Sequence, residues 1–306
     1  MSWLLALVAA ANPASAEDLQ YRLQPRQVAA DTWVIVGATE DFSMQNGGDI
    51  VNTAFIDTGD GVVVIDSGST RRYGLALRAA IATVTPEPIR EIWITHHHPD
   101  HFLGNQAFAD MPIGALAETA RGIRAEGGAF LDNIYRLTGD WAKGTEIHAP
   151  ETMLAAGHRP IGRHRFRLLA LSGHTAADLA VFDETTGVLF AGDLAFHDRA
   201  PTTPHAAIGD WQVSLDTLAA LPFSLLVPGH GEPTSDDKPL RQTRRWLQWL
   251  DQTLRQAAAD GLDAAEVLAQ PMPDDLARLP LARRELERSI AHLFGGLEAR
   301  AVGPAP

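Results

Sequence analysis

The stretch Thr95-His-His-His-Pro-Asp-His101 packs four imidazoles and a carboxylate into seven residues, directly behind the apolar run Ile89-Arg-Glu-Ile-Trp-Ile94. That run has the β-branched and aromatic content of a short buried strand, so the histidines emerge where a strand ends and can converge on one point. Neutral imidazole and carboxylate are ligands that zinc, iron or manganese accept, and the chain has no cysteine to offer instead. Read as His-x-His-x-Asp-His, the spacing selects His96, His98, Asp100 and His101 and leaves His97 over. The bland alternative is a tag-like histidine tract. The interruption by Pro99 and Asp100 and the strand in front of it argue against that.

Three further segments place a metal-type ligand just past a strand, beside glycine. Ser172-Gly-His174-Thr175 follows the apolar run Phe166 to Leu171; Leu189-Phe-Ala-Gly-Asp193 reads as a strand ending on an aspartate; Leu225-Leu-Val-Pro-Gly-His230-Gly reads as another ending on a histidine. Taken singly, a strand-end aspartate often caps the next helix and a lone histidine is usually structural. Taken together, the four segments look built to complete one site.

The organisation of the chain predicts where these ends meet. Thr53 to Gly68 reads as strand, turn at Thr58-Gly-Asp-Gly61 and strand ending at Asp66, followed by an amphipathic helix around Arg72 to Thr83 and a strand ending near His96. Asp178 to Asp193 repeats the order with a turn at Glu184-Thr-Thr-Gly187, a helix around Trp211 to Leu221 and a strand ending near His230. Two β-β-α-β units predict an α/β protein in which two mixed sheets pack face to face with helices outside, an αββα sandwich whose site lies in the cleft between the halves. The expected division is a segment 1–16, a sandwich over 17–236 and a helical extension over 237–306. In that extension Leu240 to Ala259 and Leu281 to Ala299 carry apolar residues at helical intervals, suited to packing on the sandwich or on a second copy. At 306 residues and 45% hydrophobic content the chain can bury a large core, and its 26 glycines and 19 prolines are spread as turn punctuation.

With those motifs in place, the chain resembles the metallo-β-lactamase-fold superfamily of hydrolases over about Asn52 to Gly231. The resemblance implies one metal held by His96, His98 and His174, a second held by Asp100, His101 and His230, and Asp193 bridging them. His97 receives no role. Asp66 matches the aspartate that orients the metal-binding loop, and Thr175 is expected to support the ligands from behind. Two zinc ions are implied, with iron or manganese as alternatives. Such a pair activates water for attack on a carbonyl or phosphoryl centre, with Asp100 as the catalytic carboxylate that orients it and shuttles its proton.

Ligand identity narrows the branch that the resemblance implies. One large β-lactamase class carries a cysteine, which this chain lacks, and the cysteine-free class lacks a bridging aspartate. Asp193 therefore points to glyoxalase-like, lactonase-like or phosphodiesterase-like relatives, and His98 stands where the flavodiiron branch has glutamate. A closer resemblance, to exported quinoprotein relay system zinc metallohydrolases, rests on Asp41-Phe-Ser-Met-Gln-Asn-Gly-Gly48, on His98-Pro-Asp-His-Phe-Leu-Gly-Asn-Gln-Ala107 and on Arg199-Ala-Pro-Thr-Thr-Pro204. It implies a periplasmic setting and a quinoprotein dehydrogenase as partner. The expected activity is hydrolysis of a small ester, thioester or lactone. The alternatives are a non-hydrolytic metal protein that delivers a quinone-type ligand, and β-lactam hydrolysis.

Charge and the N-terminus complete the reading. The net charge of −13 disfavours nucleic acid as a partner, because phosphate-backbone binding is largely cationic, and the short cluster Arg241, Arg244, Arg245 reads as a solvated helix face. Residues 1–16 hold a short apolar core ending in Ala14-Ser-Ala16, the pattern of a secretory cleavage site, which predicts export to a periplasm; no Lys or Arg precedes that core. Three segments are expected to shape the pocket: 41–49, 118–147 and 197–211. In the last, His197, Arg199 and His205 are candidate substrate-binding residues, and arginine suits a carboxylate or phosphate. His148, His158, His164 and His292 read as surface or structural.

Overall fold

Strands that are apolar on consecutive residues need cover on both faces, and the order of this chain supplies it. The computed structural model describes residues 19–302, so the segment 1–16 read as an export signal lies outside the described residues. The first sheet runs in sequence order: β1 (Arg26–Ala29), β2 (Thr32–Ile35), β3 (Thr53–Asp57), β4 (Val62–Ile65), β5 (Ile89–Trp93), β6 (Ile113–Ala115) and β7 (Thr152–Met153). Its first four strands are antiparallel and the rest parallel, because α1 (Arg71–Val84) carries the chain back between β4 and β5. Thr70 starts that helix by accepting the Tyr73 amide on its hydroxyl.

The second sheet repeats the plan. β8 (Gly157–Ile161), β9 (His164–Leu171), β10 (Asp178–Asp183) and β11 (Val188–Phe196) are antiparallel neighbours, and β12 (Leu225–His230) joins β11 in parallel after a helical crossover. Before it the chain forms the short α2 (Pro99–Phe102) and the long α3 (Ala117–Thr138); α4 (Ile208–Ala219) is the crossover.

Alternation decides the layers. Ala54, Ile56, Val63, Ile65 and Trp93 face Phe166, Leu168, Leu179, Val181, Phe190 and Val227 across the space between the sheets. Their neighbours Phe55, Val62, Val64 and Ile92 turn outward onto Tyr73, Leu77 and Ile81 of α1 and Ile123 and Ile134 of α3. On the far side Phe182, Leu189 and Ala191 meet Trp211 and Leu215 of α4 and Trp246, Leu247, Leu250 and Leu254 of α5 (Lys238–Ala259). These are the αββα layers expected from the two repeated units.

The extension continues through α6 (Ala264–Leu268), α7 (Asp274–Ala277), α8 (Ala282–Ser289) and α9 (Gly295–Val302). It packs on the sandwich: Val267, Leu276, Leu286, Ile290 and Phe294 share the apolar cluster that covers the second sheet. The periodic stretch Leu281 to Ala299 is not one helix, since a π-helical turn, Ile290–Phe294, separates α8 from α9. Arg241, Arg244 and Arg245 face solvent in ion pairs with Asp237, Asp216 and Asp275. Among the described residues no helix is long and apolar enough to cross a membrane.

One expected boundary is corrected. The strand carrying Asp193 does not end there but runs on to Phe196. Gly192 adopts a left-handed φ of 52°, and the pairing of β11 with β12 slips on either side of it, so Asp193 sits on an irregularity inside the strand.

Candidate metal centre

Asp66 organises the histidine loop from the end of β4. It holds a left-handed φ of 61°, a conformation that aspartate tolerates better than most residues, and Gly68 at φ 88° completes the bend. Its Oδ1 accepts the Thr95 amide at 2.8 Å, and its Oδ2 accepts the Thr95 hydroxyl at 2.9 Å and the His101 Nδ1–H at 2.7 Å. With Nδ1 committed to the carboxylate, His101 presents Nε2 to the cleft. Pro99 opens α2, where a missing N–H costs nothing, and this one turn swings Asp100 and His101 toward the same point.

His96, His98, His174 and Asp193 bring one ligand atom each within 4.8 Å of one another, and Asp100, His101 and His230 form a second such group. Asp193 faces both. Its Oδ2 lies 3.4 Å from His174 Nε2 and 3.3 Å from His230 Nε2, and its Oδ1 lies 3.2 Å from His101 Nε2. Asp100 Oδ2 lies 3.3 Å from His230 Nε2. The second half is pinned by Asn52, whose side-chain amide donates to the carbonyls of Pro228 and Gly231 on either side of His230.

Electrostatics show that these residues fit cations. The Nε2 atoms of His96 and His101 and the Oδ1 of Asp193 are buried without a hydrogen-bond partner, which costs about 1–3 kcal/mol each unless something else binds them. Burial alone would keep His101 neutral, yet the carboxylates of Asp193, Asp66 and Asp100 overcome it and hold its pKa well above the usual imidazole range. His230 is likewise raised, with Asp193 outweighing burial and Arg199. Burial pushes Asp193 up, but His230 and His101 drive it well below the carboxylate range. Burial lowers His96 and His98 strongly, and His174 to about 3. The first group is thus a neutral imidazole set beside a carboxylate, and in the second, protons stand where a cation would sit. Cations binding there must displace the protons of His101 and His230. Affinity should therefore fall as pH drops, approaching about 100-fold per pH unit where both protons are displaced. Calorimetric zinc titrations between pH 6 and 8 measure this, and a flat profile would contradict it.

The remaining residues singled out in the sequence divide clearly. Thr175 does not touch an imidazole; its hydroxyl donates to Asp178 at 2.8 Å, and Asp178 also accepts the amides of His174 and Thr175. Burial raises Asp178 to about 7. That carboxylate holds the His174 loop and escaped sequence reasoning, although the Thr175-Ala-Ala-Asp178 spacing of a side-chain-capped turn carried the signal. His197 turns away from the cleft, with Nδ1 donating to the Glu232 carbonyl at 2.5 Å. Arg199 and His205 line a cavity of about 400 Å³ that opens on His98, Asp100, Asp193 and His230. His292, read as structural or surface, also lines it, because α8 and the π turn lie over the cleft; Arg288 of α8 joins it there. His164 is buried against Asp183 at 2.8 Å, and His158 is exposed beside Glu184.

Comparison with known proteins agrees with this geometry. The family model described as Metallo-beta-lactamase superfamily matches residues 46–230. The chain is 25% identical to "Probable metallo-hydrolase YqjP" of Bacillus subtilis over 64% of its own length and 72% of that protein. It is 22% identical to a linear primary-alkylsulfatase of a Pseudomonas species over 78% of the chain, and 29% identical to a hydroxyacylglutathione hydrolase of Albidiferax ferrireducens over 55% of it. It spans 53% and 52% of those two relatives. Among solved structures, a metallo-beta-lactamase from Pontibacter korlensis superposes with a TM-score of 0.61 at 21% identity, over 74% of this chain and 99% of that one, and shares the fold. A match across most of the chain from the first sheet to His230, together with histidine and aspartate donors gathered within reach of one another, makes this protein a member of the metallo-beta-lactamase superfamily and a metallo-hydrolase of it.

Proposed function

We propose that the protein hydrolyses a small ester, thioester or lactone that bears an anionic group, at a dinuclear centre that takes zinc. The observation that carries this reading is Arg199, a fully enclosed guanidinium on the cavity wall beside His230. His230 Nδ1 lies 2.7 Å from the Ile50 carbonyl and 2.6 Å from Arg199 Nη1, and one ring nitrogen can serve only one of them. If Nε2 is to be a ligand, the proton resides on Nδ1 and goes to Ile50. Arg199 then has no acceptor there, its Nε is unpartnered, and the carboxylate oxygen that comes within 4.0 Å, Glu285 Oε1, is 3.9 Å away and paired with Arg288 at 2.7 Å. A buried arginine with spare donors on the wall of a cavity is suited to a planar anion.

His96, His98, His174 and Asp193 would hold one metal, and Asp100, His101, His230 and Asp193 the other. When bound, such a pair supplies a nucleophile from water at neutral pH and positive charge against the developing oxyanion. The chain itself supplies the rest. Asp100, kept ionised because His101 and His230 outweigh its burial, can accept a proton on Oδ2 at the cavity floor. Phe42, Ile50, Phe130 and Leu137 give the cavity an apolar side for the acyl or alkyl part of the substrate. The alkylsulfatase and the hydroxyacylglutathione hydrolase among the relatives support an ester-type bond as the target. The apolar segment ending in Ala14-Ser-Ala16 supports a periplasmic setting, where a quinoprotein dehydrogenase would be the partner.

A panel of thioester, lactone, alkyl sulfate, phosphodiester and β-lactam substrates tests the reaction class. Arg199→Met should raise KM for an anionic substrate about 10- to 100-fold, the worth of a hydrogen bond to a charged group, and leave an uncharged analogue much less affected. Equal losses on both substrates would sink the anion-binding role.

A further inference from the structure

His97 is the histidine of the opening motif that the inner centre does not use, and it is neither exposed nor satisfied. It is 6% exposed, and its Nε2 is buried without a hydrogen-bond partner. Its ring stands 5.0 Å from that of His205 and 5.2 Å from that of His98. The backbone of α3 passes close by at Gly122, where a Cβ would come within 2.9 Å of the His97 ring. His97, His98 and His205 bring one ring nitrogen each within 4.8 Å of one another, the same separation that defines the inner groups.

His98 faces two ways. Its Nδ1 is 2.8 Å from His174 Nε2 in the inner centre, and its Nε2 is 2.9 Å from His205 Nδ1 on the other side. Glu126 of α3 accepts the His205 Nε2–H at 3.1 Å, which leaves the Nδ1 lone pair of His205 directed at His98. The Glu126 Oε1 lies 3.7 Å from His97 Nε2, too far for a hydrogen bond between them.

We propose that His97, His98 and His205 form a further metal site beside the cavity wall, taking a zinc-class divalent cation, with Glu126 orienting His205. Three imidazoles with an open fourth position are a donor set that zinc accepts. His98 would serve both sites as an imidazolate, its remaining N–H proton passing to solvent as the outer cation binds. A plain hydrogen-bonded chain Glu126–His205–His98 explains the two short distances but leaves the buried His97 nitrogen with nothing; the cation satisfies all three rings. The outer cation would sit beside the cavity wall that carries Phe130 and His205.

The test counts metal. After chelation, reloading with zinc and gel filtration, the wild-type chain should hold about three zinc ions, and His97→Ala and His205→Ala about two each, at unchanged circular dichroism. His205 is partly exposed, so His205→Ala remains informative if His97→Ala does not fold. Cobalt loading gives a second readout: the wild type should add a set of visible bands for its last equivalent that both variants lack. Wild-type protein that saturates at two zinc ions overturns the proposal. So does His205→Ala protein that keeps the wild-type count while its inner sites bind more weakly, since His205 would then only position His98. An Asp193→Ala chain with an unchanged count bears on the inner pair and leaves this comparison intact.

Discussion

Asp193→Ala should lose about one metal ion per chain by elemental analysis and at least about 100-fold of the hydrolytic rate on the best substrate, as expected when a preorganised charge partner is removed from a buried site. Its two oxygens lie 3.2–3.4 Å from ring nitrogens of His101, His174 and His230, so this one carboxylate reaches both ligand groups. In metal-free protein the same carboxylate raises His101 and His230. A raised imidazole pKa contributes stability that is present at acid pH and lost as pH climbs through the folded-state value. The metal-free variant should therefore lose more stability at about pH 6 than at about pH 9. Denaturation with and without chelator at the two pH values measures both effects. Full turnover and an unchanged metal count would reject the bridging role.

Gly229→Ala is expected to act on the same carboxylate from the neighbouring strand. A Cβ on Gly229 would sit 1.9 Å from Asp193 Oδ1 and 2.8–2.9 Å from backbone atoms of Gly192 and Asp193. Backbone on two hydrogen-bonded strands cannot step aside as the end of a flexible side chain can. The variant should lose about 1–3 kcal/mol of stability through overpacking and bind the inner pair poorly, because Asp193 must leave its position. Gly209→Ala in α4 is the control: nothing lies within 4 Å of its added methyl, and alanine favours a helix. If Gly229→Ala keeps wild-type metal content and melting, strands β11 and β12 are not packed as described.

Much of the site was legible in sequence because its chemistry is local to strand ends. The His-x-His-x-Asp-His spacing, the single ligands at His174, Asp193 and His230 and the repeated β-β-α-β order predict convergence without any long-range information. What local spacing could not supply is which distant element arrives over the cleft. Arg288 and His292 reach the cavity from a C-terminal extension with no motif, placed there by apolar packing of Leu286, Ile290 and Phe294 on the second sheet. Glu126 is one acid on an otherwise ordinary amphipathic helix, and its meaning depends on His97 and His205 lying beside it. Asp193 was found but assigned to a strand end, because the bulge at Gly192 depends on pairing with β12 that spacing does not encode. His197 and Arg199, two residues apart, part company for the same reason: one bonds the Glu232 carbonyl, the other enters the cavity.

In the proposed centre two cations share Asp193 at the seam of the sandwich. Anomalous diffraction from crystals of the zinc-loaded protein, recorded on both sides of the zinc edge, tests it most directly. One peak is expected among His96, His98 and His174, a second among Asp100, His101 and His230, with Asp193 in contact with both. A single peak in the cleft, or two peaks that leave Asp193 untouched, would contradict it.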